Sequence, residues 1–289
     1  MTNRRDFLKQ ASMAVAGGFL GSQLLSSCGG APKKNIGLQL YSLRDDINDL
    51  GIKKVLEIVS KMGYTNLEAA GYSDGLIYGI NPVEFKNIVD GLGLRLTSAH
   101  VGRGISDNHD EDMAWWSQCI EAHTKVGAKY LVMPWAPLSK ESTADDVKKY
   151  GAYFTEVGLL AATSSLAFGY HNHAHEFETK IDDKSIYDIL LESSSPDHVM
   201  FENDVYWTQV GGANPVEYLK KYPKRIKLLH IKDETVIGAS GTLDFKAIFE
   251  QFYANGGKDW YVEVERYDGT PQEDVQKSYD YLYTADFVK

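Results

Sequence analysis

Two cysteines in 289 residues leave this chain no disulfide framework. One of them, Cys28, is expected to be acylated as the mature N-terminus, so Cys119 has no intrachain partner even in an oxidising compartment. Basic charge is also scarce: 30 Lys and Arg stand against 40 Asp and Glu, for a formal net charge of −10. That deficit excludes electrostatic binding to nucleic acid or to anionic lipid headgroups. A glycine-rich phosphate turn after the first apolar segment is missing as well, since the chain there reads Leu40-Tyr41-Ser42-Leu43-Arg44-Asp45. Its absence argues against an open, doubly wound nucleotide-binding sheet.

Nor does the sequence hold an apolar run long enough to span a membrane, which takes about 20 residues. The stretch from Ala11 to Leu25 is short and is interrupted by Gly17, Gly18, Gly21 and Ser22. Ahead of it, Arg4-Arg5 precede Asp6-Phe7-Leu8-Lys9, the basic start of a twin-arginine export signal. Leu25-Ser26-Ser27-Cys28 then has the form of a bacterial lipobox, in which Cys28 is acylated. The expected organisation is a signal peptide over residues 1–27, a tether over 28–34 and one domain over 35–289. The expected location is the periplasm, with acyl chains on Cys28 as the one tie to a membrane.

What the body does have is a single rhythm from end to end. Short apolar runs alternate with segments of helical period, the mark of βα units and a parallel sheet. Strands are expected at Ile36–Tyr41, Thr65–Ala70, Arg95–Val101, Lys129–Pro134, Leu166–His171, His198–Glu202, Ile226–Ile231 and Trp260–Glu263. Between them, Val55, Leu56, Val59 and Met62 share one helical face, and Val147, Tyr150, Phe154 and Val157 share another. Thr143 and Asp146 form a capping-box pattern ahead of the second of these faces. A last helix is expected from Pro271 to about Phe287. Eight such units in a body close to the roughly 250 residues of a typical example predict an α/β fold, the (β/α)8 TIM barrel.

Chemistry is signalled where polar residues interrupt strands that should be apolar on both faces. The strand ends read Ser98-Ala99-His100, Tyr170-His171-Asn172-His173, Glu202-Asn203-Asp204, His230-Ile231-Lys232-Asp233 and Glu263-Val264-Glu265. One histidine at a strand end is ordinarily a structural residue. Five ionisable ends converging on one barrel mouth are costly without a cation. The intervals from His171 to Asp204, His230 and Glu263 are each about one βα unit, so four consecutive strands can supply a ligand apiece. Mixed imidazole and carboxylate donors suit Mn²⁺, Co²⁺, Zn²⁺ or Mg²⁺.

Several segments resemble the xylose-isomerase-like sugar isomerase/epimerase superfamily. They are Ile36-Gly37-Leu38-Gln39-Leu40-Tyr41-Ser42, Gly169-Tyr170-His171-Asn172-His173-Ala174-His175-Glu176-Phe177, Asp204-Val205-Tyr206-Trp207 and Arg225-Ile226-Lys227-Leu228-Leu229-His230-Ile231-Lys232-Asp233. The resemblance implies a divalent metal held by Glu, Asp, His and Glu on successive strands. Asp204, His230 and Glu263 fit the last three positions. At the first, His171 replaces the usual glutamate, with Glu176 as the alternative ligand. The implied activity is metal-dependent enolisation beside a sugar carbonyl by an isomerase or epimerase. A 3-keto-glycoside lyase or a dehydratase using the same chemistry is the alternative. A non-catalytic sugar-binding lipoprotein is the contrasting class, and the acidic charge disfavours an endonuclease.

Acid–base candidates are Glu265, His173, Lys232 and His100, with Asp233 or Glu234 as a purely structural pairing for Lys232. Tyr41, Glu68, His100, Trp135 and Trp207 are candidate substrate contacts, with Arg44 as an alternative partner for Glu68. Trp115 and Trp116 read as packing or surface residues. The expected small-molecule partner is a sugar or glycoside.

Overall fold

The computed structural model describes residues 34–289, so the leader and Cys28 lie outside it. Eight parallel strands carry the fold: β1 (Gly37–Gln39), β2 (Asn66–Ala69), β3 (Arg95–His100), β4 (Tyr130–Met133), β5 (Ala167–His171), β6 (Val199–Asp204), β7 (Ile226–Ile231) and β8 (Asp259–Val262). They close in the order β1-β8-β7-β6-β5-β4-β3-β2. Each expected strand is present, with no end moved by more than two residues. The C-terminal end of β6 is the one extended furthest, continuing through Asn203 and Asp204 because both pair with β7.

Each strand is followed by a helix: α1 (Ile52–Met62), α2 (Pro82–Gly91), α3 (His109–Val126), α4 (Ala144–Ala162), α5 (Ile186–Ser193), α6 (Pro215–Lys221), α7 (Phe245–Ala254) and α8 (Pro271–Thr284). The start of α4 is the capping box read from the sequence. Asp146 N donates to Thr143 Oγ1 at 3.2 Å, and Thr143 N donates to Asp146 Oδ2 at 2.8 Å. The final helix stops at Thr284, short of Phe287. No helix among the described residues is long and apolar enough to cross a membrane.

Two apolar cores result from the period-two alternation of the strands. Outward residues such as Leu38, Phe168, Phe201, Leu229 and Val262 pack with the helices. Burying a large side chain of this kind stabilises by about 1.5–3 kcal/mol. Inward residues Val132, Met200, Leu228 and Tyr261 form a separate floor inside the barrel. Closure depends on Gly37, where a Cβ would meet the Trp260 carbonyl at 2.4 Å and the Tyr261 ring at 2.6 Å. Any larger residue would hold β1 off β8. Trp116 is fully buried, its Nε1 donating to Tyr153 Oη at 2.7 Å, which makes it a packing residue. Cys119 is buried.

Candidate metal centre

The same alternation that builds the apolar floor builds a polar layer above it. Two residues beyond Met200 comes Glu202, and two beyond that Asp204. Leu228 is likewise followed by His230 and Lys232, and Tyr261 by Glu263 and Glu265. On β5 and its extension the inward pair is His171 and His173. Side chains from separate strands therefore meet at matched heights, as the register pairs Glu202 with His171 and Asp204 with His230.

His171, Asp204, His230 and Glu263 each present one donor atom, and these atoms lie within 4.8 Å of one another. All four are buried. The unpaired atoms show that this set suits a cation. Asp204 Oδ2 and His171 Nδ1 are buried without a hydrogen-bond partner among the described residues. An orphaned buried carboxylate oxygen is costly, and a divalent cation held by this set would remove the cost. A second set of His100, His171, Glu202 and His230 shares two members with the first. Only the first reaches an open cavity through both an imidazole, His171, and a carboxylate, Glu263.

Beneath that set lies a layer of carboxylates that orient the histidines. Glu68 is fully buried; its oxygens accept from Gln39 Nε2 at 2.8 Å and Ser98 Oγ at 2.5 Å, and approach His230 Nε2 at 2.5 Å. The other nitrogen of His230, Nδ1, lies 3.2 Å from Glu263 Oε2. This is the carboxylate–histidine arrangement that fixes a ligand's tautomer and ring plane. Glu68 is thus neither a sugar contact nor the partner of Arg44, because its oxygens are spent below the cavity. Replacing Glu68 with Gln should weaken metal affinity by about 10–100-fold, the effect usual for such an outer partner. Competition with a chromogenic chelator measures this, and unchanged affinity would remove Glu68 from the role.

Glu202 is the residue that sequence reasoning passed over. Its Oε2 lies 2.8 Å from His100 Nε2, 3.2 Å from His230 Nε2 and 3.4 Å from His171 Nδ1. The strand had been expected to end on it, although its place two residues before Asp204 put both on one face. Burial and the neighbouring Glu68 raise its pKa, whereas His230 and His100 lower it. Burial also opposes the charge on His100, but Glu68 and Glu202 outweigh it and raise that pKa. His100 still reaches the cavity wall.

Lys232 is buried at 2 % exposure between two carboxylates, 2.9 Å from Glu263 Oε2 and 2.5 Å from Glu265 Oε2. Burial works against its charge, yet Glu263, Asp204 and Glu265 prevail and hold its pKa above the ordinary lysine range. It is therefore held as an ammonium between the two carboxylates. Its partners are not Asp233 and Glu234: Asp233 instead accepts from the loop amides of Glu234 and Gly238. Trp207 lies under the Lys232 ammonium, 5.1 Å from ring centroid to Nζ, and packs behind the lysine instead of facing the cavity.

The cavity above the ligands holds about 380 Å³ and is lined by Tyr41, Ala70, His100, Pro134, Trp135, His171, His173, Glu263 and Glu265. Tyr41 and Trp135 are exposed at its rim. Burial lowers the pKa of His173 to about 4, so its ring is neutral near pH 7. Glu176 lies outside both donor sets. It accepts from Tyr170 Oη at 2.6 Å and from the His173 amide at 2.9 Å, which fixes the loop after β5 and rules it out as the substitute for His171.

Known proteins carry the same architecture. The profile described as xylose isomerase-like TIM barrel matches residues 56–285. A sugar phosphate isomerase/epimerase from Parabacteroides distasonis ATCC 8503, solved by crystallography, is 39% identical, with a TM-score of 0.81 over 89% of this chain and 100% of that one. An inosose dehydratase of Geobacillus kaustophilus (strain HTA426) is 26% identical over 218 residues, a stretch that is 66% of this chain and 66% of that relative's length. This chain thus spans just under two thirds of the dehydratase. The crystal structure of the IolI protein with a zinc atom shares the fold at a TM-score of 0.66 and 20% identity, over 88% of this chain and 98% of that one.

Proposed function

The chain belongs to the xylose isomerase-like TIM barrel family, and on that premise we propose that it is a divalent-metal-dependent sugar isomerase or epimerase acting by enolisation. One observation carries the reading: a buried His/carboxylate set with two unpaired atoms, Asp204 Oδ2 and His171 Nδ1, opens through His171 and Glu263 into a cavity that a partly exposed carboxylate, Glu265, also lines. His171, Asp204, His230 and Glu263 would hold the ion. When bound, a divalent cation supplies Lewis-acid stabilisation to the substrate oxygen that becomes negative on enolisation.

The remaining steps fall to the chain's own groups. Tyr41 and Trp135 offer flat faces to a sugar ring at the rim. Glu265 takes the proton from the carbon beside the carbonyl, and Lys232 holds that carboxylate in place. His173, neutral, offers one N–H and one lone pair to substrate hydroxyls. Return of the proton to the former carbonyl carbon, with the neighbouring hydroxyl proton passing to the former carbonyl oxygen, gives isomerisation, and return to the opposite face of the original carbon gives epimerisation.

A second reading shares the first step. The kinship with an inosose dehydratase supports loss of a β-hydroxyl from the enolised substrate, which makes the protein a dehydratase or, with a glycosidic leaving group, a lyase. NMR of keto-sugars and 3-keto-glycosides in D₂O separates these. Deuterium beside the carbonyl is expected with metal-loaded protein, and none in a substrate whose carbonyl is reduced. Retained deuterated sugar marks the isomerase, and a released hydroxyl or aglycone marks the second reading. If sugars bind equally with and without metal and none exchanges, the protein is a sugar-binding lipoprotein and the enzyme reading fails.

We also propose export by way of Arg4-Arg5 and anchoring through acylated Cys28, on the leader sequence alone. Cys28→Ala should move the protein from the membrane to the soluble fraction. A variant still on the membrane after mild salt washing would count against the anchor.

A further inference from the structure

A second cavity of about 390 Å³ adjoins the first, and Tyr41 and Ala70 belong to the walls of both. It lies over the ends of β1 and β2 and is bounded by the short helix Arg44–Leu50. Its far wall is the Tyr78 ring. Tyr78 is held by its hydroxyl, which accepts from the Ala70 amide at 2.9 Å, and by stacking on Phe85 at 6.1 Å between centroids. Gly71 lets this ring approach the backbone, since a Cβ there would meet it at 2.4 Å. The wall is thus fixed and flat, which suits a ring-shaped ligand.

The second cavity is also tied to the first mechanically. Arg44, on its wall, donates to the Tyr41 carbonyl at 3.2 Å, the Tyr267 hydroxyl at 2.9 Å and the Glu265 carbonyl at 3.1 Å. Its guanidinium also sits 4.7 Å from the Tyr41 ring centroid. One side chain therefore braces the wall shared by the cavities and the peptide of the residue assigned as base. Asp45 and Asn48 add exposed polar groups, beside Arg44, to a lining whose other members are apolar or aromatic.

From this juxtaposition we infer that the substrate has two rings: a keto-sugar ring over the candidate metal centre and a second ring, joined through a glycosidic oxygen, in the slot between the Arg44 guanidinium, which lies over Tyr41, and Tyr78. The inference rests on the first cavity being the sugar site. A second ring in a preformed slot also supplies binding energy remote from the reacting carbon, which positions that carbon against Glu265. The second ring is a sugar or an aryl group, and the two share this stacking chemistry.

The test uses the full-length, metal-loaded protein and three unreactive probes: methyl glucoside, phenyl glucoside and a glucosyl-glucose disaccharide. Calorimetry should show the two-ring probes binding at least about tenfold more tightly than the methyl glycoside, a modest return for one stacked ring. Asn48→Trp changes an exposed helical position and fills the slot. It should erase that preference while leaving methyl glucoside binding unchanged. Asp45→Ala should weaken the disaccharide alone if the second ring is a sugar, and neither two-ring probe if it is aryl.

Equal affinity for all three probes in the unaltered protein would overturn the inference, as would an Asn48→Trp effect on all three alike or on none. Binding is read without turnover, so a failure of the enolisation chemistry registers separately in the D₂O experiment. Where turnover is found, the keto forms of the two-ring probes should show the higher kcat/KM, and Asn48→Trp should remove that advantage.

Discussion

The Asp204→Asn protein should purify as a folded barrel that no longer retains a divalent ion. Asparagine caps a helix about as well as aspartate, so the bond from the Trp207 amide to Asp204 Oδ1, at 2.7 Å, survives the change. What is lost is the charge and the free oxygen, Oδ2, aimed into the ligand set. Affinity should fall by more than the roughly 10–100-fold that an outer partner commands. Elemental analysis after gel filtration, beside a circular dichroism spectrum, measures both halves; a full complement of metal in the variant would sink the assignment. His230→Ala should also lose the ion, but it strands Glu68, Glu202 and Glu263 without their shared imidazole. Breaking a buried pair in that way costs about 3–5 kcal/mol, so the asparagine variant is the cleaner experiment.

The same carboxylate gives the unaltered protein a pH signature. Burial raises the pKa of Asp204 to about 7, although Lys232 and His230 pull it down. Only the deprotonated form is a ligand. Metal affinity should therefore be full above this value and weaken as pH falls through it, with protons and metal competing for one oxygen. The asparagine variant should lack that component of the pH dependence.

Glu265→Gln should keep the metal and lose the chemistry. Glu265 is absent from both donor sets, yet its side chain is 27% exposed and lines the cavity. Glutamine matches its shape and cannot accept the proton. A general base commonly contributes about 10²–10⁴-fold, so deuterium uptake in D₂O should slow by that order. Lys232 remains paired with Glu263 at 2.9 Å, which limits the disturbance to the reacting side. Unchanged exchange at unchanged metal content would transfer the role to His173.

The barrel was legible because buried parallel strands and amphipathic helices write different periods into the chain. Strand ends were less so: Asp204 looks like a loop residue until its pairing with His230 is seen. The candidate set could be read because one donor residue per βα unit leaves a regular interval, and the donor atoms of His171, Asp204, His230 and Glu263 do come together. The layer beneath could not. Whether Glu68 faces a sugar, Arg44 or His230 depends on how far β1, β2 and β7 are staggered around the barrel, and no local pattern encodes that stagger. Lys232 shows the same limit. Its neighbours in sequence are acidic, but those to which it is bound come from β8 and its extension, about a βα unit away.

The apolar floor under the site makes the barrel a blind well. Val132, Leu228 and Tyr261 are fully buried, and the Tyr261 hydroxyl is paired with Thr97 at 2.9 Å. The open side of Glu68 and Glu202 is therefore the mouth. On the proposed reading, a sugar seated against Tyr41 and Trp135 would cover that side, and proton exchange between the buried carboxylates and solvent would wait on its departure.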